Sequence, residues 1–285
     1  MRKVALLSVV VAFTHSAIAQ VQSGTIIIIN LSKDELVVAA DSRGVNANRS
    51  KPPDDTKCKL AAIKGKTLFA TGLTAVRFKS RPDDPVPEWD NIDVARIALE
   101  SVDQSLTGQT RIEAIGKRWA ELLSEKWGAF YRQYPAQVAS IAEANKRIIT
   151  YGIFVEAGNG EFYVYRPAIL FNPERIFPIF QGTIEISSIS SCGRSDESVS
   201  SLGENAIPIK ICSSNHKFIE PARKHRQHSR NIHQWKEQEL FTVWLAEISR
   251  DCDLTGHIGG PINALALRTD GGLTWLTGED QCKEK

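Results

Sequence analysis

A glycine and a threonine, Gly24-Thr25, open a run of β-branched residues, Ile26-Ile27-Ile28-Ile29, and an aspartate, Asp41, follows sixteen residues after the threonine. A threonine hydroxyl is a weak nucleophile until a base takes its proton. If the bond ahead of Thr25 opens, the freed α-amine, with an ordinary pKa of about 8, is such a base on the same residue. Glycine at the preceding position lets the backbone bend sharply enough for the hydroxyl to reach the carbonyl ahead of it. Taken alone, Gly-Thr would equally begin an ordinary strand.

Two hairpins must carry this chemistry. Thr25 to Asn30 and Val37 to Arg43, joined by the polar turn Leu31-Ser32-Lys33-Asp34, read as the first. After a polar loop from Gly44 to Asp55, Thr56 to Ile63 and Thr67 to Gly72 read as the second, turning at Lys64-Gly65-Lys66. Lys57 and Lys59 then share a strand face about 7 Å apart, so only one of them can lie close to Thr25.

With Ala39-Ala40-Asp41-Ser42-Arg43 closing the first hairpin, this opening resembles that of a proteasome β-subunit, a member of the N-terminal-nucleophile (Ntn) hydrolases. The resemblance implies an α+β fold, a four-layer αββα sandwich of two antiparallel sheets covered by helices. It makes Gly24 the processing position, Thr25 nucleophile and base, Asp41 the partner of a catalytic lysine, and Gly72 an oxyanion donor. Lys59-Leu60-Ala61-Ala62-Ile63 fits the lysine phrase of that family and is favoured; Lys57 fits the simple count from the threonine and is the alternative. The family's Gly-Ser-Gly-like segment falls on Ser191-Cys192-Gly193, where Ser191 is the better hydrogen-bond partner and Cys192 the better positional match. Its late aspartate and serine fall on Arg250 to Gly260, with Asp253 and Thr255 favoured over Asp251. The likeness spans about Gly24 to Leu276 and is strongest in the first fifty residues.

Residues 1–19 read as a secretory signal peptide: Arg2 and Lys3, an apolar Val4 to Phe13, and a small-x-small Ala17-Ile18-Ala19. Gln20 to Gly24 would then be a short propeptide, and 25–280 the hydrolase-like domain. Its removal with Arg2 and Lys3 brings the 35 basic residues to parity with the 33 acids, so nothing in the charge points to nucleic acid. A secreted or periplasmic location follows, with no membrane attachment once the signal is gone. Insertions are expected near 77–90, a proline-rich surface loop, and at 215–233. The latter holds His216, His225, His228 and His233 without metal-ligand spacing and reads as a solvated basic segment. No metal or cofactor is expected. Asn91 or Asp93 would cap a helix, and Ile112 to Phe130 lie on the buried stripe of a second. Strands are expected at 147–155, 160–165 and 183–190, a short helix at 196–202, an amphipathic helix from Trp235, and a last hairpin at 261–277. Five cysteines allow up to two disulfides and leave one thiol, with the pairing open.

The expectation is thus an exported, self-processing threonine hydrolase cutting amide bonds, most readily in peptides, through an acyl-enzyme on Thr25. The alternatives are a non-catalytic scaffold or binding protein of the same fold and a small-molecule amidohydrolase of the same superfamily. A homo-oligomer is left open, since both insertions could block a ring.

Overall fold

The structure is a computed structural model of the chain, and it describes residues 20–23, 25–46, 52–73, 77–79, 85–144, 147–173, 175–179, 187–188, 198–203, 235–253 and 256–282. Gln20–Ser23 forms a short strand, β1, ahead of the four isoleucines. An unbroken β-branched run suits a strand buried on both faces. Ile26–Leu31 (β2) meets that condition: Ile27 and Ile29 face one apolar core while Ile26 and Ile28 face another. β2 pairs antiparallel with Glu35–Asp41 (β3), so Ile27 stands opposite Ala40. Val45–Asn46 (β4) follows, then Leu60–Ile63 (β5) and Thr67–Leu73 (β6) make the second hairpin. Arg77–Lys79 (β7) and Trp89–Asp90 (β8) come next.

Three helices follow, Asn91–Ser101 (α1), Gly108–Gln133 (α2) and Pro135–Ala144 (α3). Then come Ile148–Gly158 (β9), Glu161–Tyr165 (β10), Ala168–Asn172 (β11) and Arg175–Ile179 (β12). Asn159 and Gly160 turn β9 into β10 with φ of 55° and 78°, the left-handed pair that a two-residue hairpin requires. Ser187–Ser188 (β13) and Ser198–Gly203 (β14) precede the helix Glu237–Asp251 (α4). Ile262–Arg268 (β15), Leu273–Thr277 (β16) and a final turn of helix, Glu279–Cys282 (α5), close the chain.

The fold is mixed α+β, built on two six-stranded antiparallel sheets. One has the order β13-β14-β2-β3-β15-β16; the other runs β12-β11-β9-β6-β5, with β10 also on β9. Ile27, Val38 and Leu265 of the first sheet share a core with Leu68, Tyr151 and Ile153 of the second. On the second sheet's other face, Trp119, Trp127 and Phe130 of α2 pack with Phe69 and Phe154. On the first sheet's other face, Leu245, Ala246 and Ile248 of α4 cover Ile26, Ile28 and Ala264. A small ribbon, β4-β1-β7-β8, completes the described strands.

Several expectations need correction. Residues 198–203 are a strand, not part of a short helix, because the edge of β2 takes them as its partner and Val199 is buried under α4. The cap of α1 is Asp90, whose carboxylate accepts from Ile92 N at 2.9 Å; Asn91 is turned into the core instead. The stretch at 77–90 is not simply a surface loop, since β7 and β8 pair and Val86 and Trp89 are buried, Trp89 lying edge-on to Trp127 at 5.3 Å. Residues 56–59 precede β5 rather than belonging to it. A disulfide, Cys58–Cys282, closes 224 residues of chain, and Cys252 is a free thiol.

Trp127→Ala leaves a large void beneath α2 and is expected to cost about 3–5 kcal/mol, against about 1 kcal/mol for Asp90→Ala at the cap. Urea unfolding of the two variants checks the contrast.

Candidate active site

Asp41 ends β3 fully buried, and burial of a carboxylate is tolerable only if donors surround it. Its Oδ1 accepts from Ile26 N and from Lys59 Nζ, both at 2.8 Å. Its Oδ2 accepts from Arg43 N at 3.2 Å and Gly259 N at 3.3 Å. One carboxylate thus ties together the start of β2, the end of β3, the segment before β5 and the loop after α4. Lys59 is 1 % exposed, and burial pushes its ammonium below the usual lysine range against the pull of Asp41.

The structure brings Lys59, not Lys57, to Asp41. Lys57 pairs with Asp54 at 2.6 Å, on the loop that leads into this segment. The two lysines part because this segment is not regular strand: Ser42 O takes the Lys57 N–H at 2.9 Å and Lys59 O takes that of Thr71 at 2.9 Å. Burial raises the Asp54 carboxyl, but hydrogen bonds from Lys57 and Thr56 outweigh it and bring the pKa down to about 2.

Thr25 immediately precedes β2, is 2 % exposed, and its neighbour Ile26 is the residue that binds Asp41. Its methyl packs over Gly72: a Cβ added there would lie 2.6 Å from Thr25 Cγ2 and 2.7 Å from Tyr151 Oη, closer than real Cβ contacts come. Glycine at 72 is therefore a requirement of close approach. Thr71 spends its N–H on Lys59 O, so strand alternation turns the Gly72 amide to the β9 edge. A donor to an oxyanion at Gly72 would need that amide to leave the ladder. A buried network holds this end of β6 and β9: Asn91 Nδ2 donates to the Thr71 and Thr150 hydroxyls at 2.9 and 3.0 Å, and those donate to Tyr151 O and Gly72 O.

Around the other side, Arg43 grips Asp55 in a bidentate pair, Nε to Oδ1 at 2.7 Å and Nη2 to Oδ2 at 2.9 Å. A Cβ on Gly259 would lie 2.2 Å from the Arg43 guanidinium, so the glycine admits the arginine. Asp253 accepts from Ile258 N at 2.8 Å and adds to the negative field on Arg43; Asp251 pairs with Arg250 at 2.7 Å. Ser191, Cys192, Thr255 and Gly24 lie outside the described residues, as do residues 1–19, where a signal peptide was expected, and the histidines at 215–233. Of the segment expected to be a propeptide, Gln20–Ser23 is β1, paired antiparallel with β4 through Gln22 and Ser23 and with β7 through Gln20 and Val21.

Sequence reasoning missed Tyr151, Thr71 and Thr150, and took Asn91 only as a helix cap. The signal for the first three was polar atoms on inward positions of largely apolar strands. Among the described residues no group of acids, histidines and cysteines stands ready to hold a metal, and no helix is long and apolar enough to cross a membrane. Compared with known proteins, the chain matches no family model and no curated protein.

Removing one partner of a buried ion pair strands the other, so Asp41→Ala is expected to destabilise by about 3–5 kcal/mol. Lys57→Ala should cost clearly less, because the Asp54 side chain, 32 % exposed, can turn to water. Chemical denaturation of both separates the two lysine sites. Asp54 has a depressed pKa, so its contribution is whole above pH 3.8 and is lost as pH falls toward about 2. Asp54→Asn is expected to flatten the acid limb of stability over that window, read by thermal melts.

Proposed function

We propose that this chain is an exported, self-processing N-terminal threonine hydrolase with the four-layer αββα fold of proteasome β-subunits, cutting amide bonds through Thr25. The observation that carries the reading is the buried Lys59–Asp41 pair, bound through Asp41 to the residue after Thr25. An ammonium with so little water around it costs several kcal/mol of solvation even when paired. One residue from a buried threonine, such a charge has a chemical use. The two facing sheets, with helices on the outer face of each, support the fold assignment.

In the full chain the Thr25 nitrogen is an amide and has no basic lone pair. Processing would begin with Thr25 Oγ attacking the Gly24 carbonyl carbon. The carbon–nitrogen bond breaks as the ester forms, and water then hydrolyses the ester. The products are the leader's carboxylate and a Thr25 bearing both free amine and hydroxyl. In turnover the amine takes the hydroxyl proton as Oγ bonds to the substrate carbonyl. The same proton goes to the departing amine, and water releases the acyl group by the reverse relay. Lys59 would keep the α-amine neutral and stabilise the developing alkoxide; Asp41 would hold Lys59 in place.

Peptides are the favoured substrates because the leader already lies extended, with Gln22 and Ser23 paired to β4 and Gln20 and Val21 paired to β7. Once it departs, another extended backbone can satisfy those groups. A small-molecule amide would leave them unpaired. The disulfide accords with export, since such bonds persist in oxidising compartments. One observation favours a non-catalytic scaffold instead: Thr25 is almost wholly buried.

Intact mass of the purified protein decides between them. A chain beginning at Thr25 is expected for the wild type. Thr25→Ala should keep Gln20 to Gly24 and hydrolyse nothing from a panel of peptide and acyl amides. A wild type that retains the leader and is inert makes the scaffold reading the right one.

A further inference from the structure

Tyr151 stands in β9, fully buried, and its phenolic oxygen has no hydrogen-bond partner among the described residues. A buried hydroxyl left unpaired costs about 1–3 kcal/mol, so such groups call for an explanation. Its surroundings narrow the choice. The oxygen and the Thr25 methyl crowd the same point above Gly72, at 2.7 and 2.6 Å. The Tyr151 ring lies in the core between the sheets, so its hydroxyl tip reaches out of that core toward Thr25. The strand end that carries it is held by the Thr71 hydroxyl, which donates to Tyr151 O at 2.9 Å.

Charge sets which way this hydroxyl can act. Burial, joined by the negative field of Asp41, drives the phenol well above its ordinary pKa of 10.0. Tyr151 therefore remains a neutral O–H at any pH an enzyme meets: it can donate a hydrogen bond and cannot serve as a base. The Gly72 amide, the other donor nearby, is turned to the β9 edge.

We propose that Tyr151 is a catalytic residue whose phenolic O–H donates to the oxyanion formed on the carbonyl that Thr25 attacks. The inference rests on the hydrolase reading and adds a donor to it. As the Oγ–carbon bond forms, the carbonyl π pair moves to oxygen and the hydroxyl proton goes to the α-amine. The phenol donates a hydrogen bond to that oxygen and keeps its own proton. When the carbon–nitrogen bond breaks, the pair returns to the carbonyl and the departing nitrogen takes the proton from the α-ammonium. The donor's unspent state before reaction is the point: it makes no bond in the ground state and one in the transition state, which is the condition for accelerating the chemical step.

Tyr151→Phe removes the oxygen and nothing else, and it tests the claim with two opposed readouts. Because the hydroxyl is unpaired in the fold, the melting temperature should hold or rise. The kcat for peptide-aminocoumarin amides, measured on protein whose mass begins at Thr25, should fall about 10²–10³-fold with KM little changed. A processed, active wild type whose Tyr151→Phe form has the same kcat overturns the role of Tyr151 and leaves the hydrolase reading intact. A marked drop in melting temperature also overturns it, since the hydroxyl would then be a structural bond. An unprocessed, inert wild type overturns the hydrolase reading itself, and the role of Tyr151 falls with it.

Discussion

Everything near Thr25 depends on one carboxylate out of contact with water. Asp41 accepts from the main-chain amides of Ile26 in β2, of Arg43 just past β3 and of Gly259 on the loop after α4, and from the Lys59 ammonium. Each of those segments has its own reasons to fold, yet their relative placement is specified by a group that cannot remain charged without all of them. An apolar residue at 41 would pack as well and would leave the four donors without an acceptor. The pair is thus weak as a source of net stability and strong as a source of geometry. That trade suits a site better than a core.

How far the chain could be read in advance follows from how local each signal was. The isoleucine run and the Asp270-Gly271-Gly272 turn of the last hairpin are local, and the strands beside them fell where they should. The glycine and asparagine between β9 and β10 specified their turn without help from elsewhere. The expected helix at 196–202 was a misreading over 198–202 because serine-rich segments carry little intrinsic preference; what makes 198–203 a strand is the open edge of β2, far away in sequence. Asp90 was passed over as a cap for a similar reason. Asn91 and Asp93 are as good on propensity, and only the pull of Thr71 and Thr150 on Asn91 decides which residue stays outside. The prolines at 82–87 suggested surface, and they hid Val86 and Trp89, which anchor the return to the core.

The site shows the same division. Thr25, Asp41 and a lysine were visible as types at a spacing, since they sit on adjacent hairpins. Spacing alone left Lys57 and Lys59 both open, because the answer turns on where β5 starts and on Asp54 holding the other one; only the family phrase favoured Lys59, which is the lysine that meets Asp41. Tyr151 was invisible as a site residue: it comes from a strand paired to β6 across three helices of intervening chain. A tyrosine in an apolar run announces packing, and only the glycine opposite it reveals that its tip meets a threonine.

Topology adds one more point. With Cys58 joined to Cys282, residues 58–282 form a covalent ring, and the residues ahead of Cys58 form a tail on it. The tail carries Thr25 and Asp41, and Lys59 is the first ring residue beyond the knot. A protease that nicks an exposed bend such as Asn159-Gly160 would open the ring without dividing the molecule, and both halves would still be tethered at the residue beside Lys59. In a compartment where neighbouring enzymes digest protein, such a chain can be cut once and stay whole.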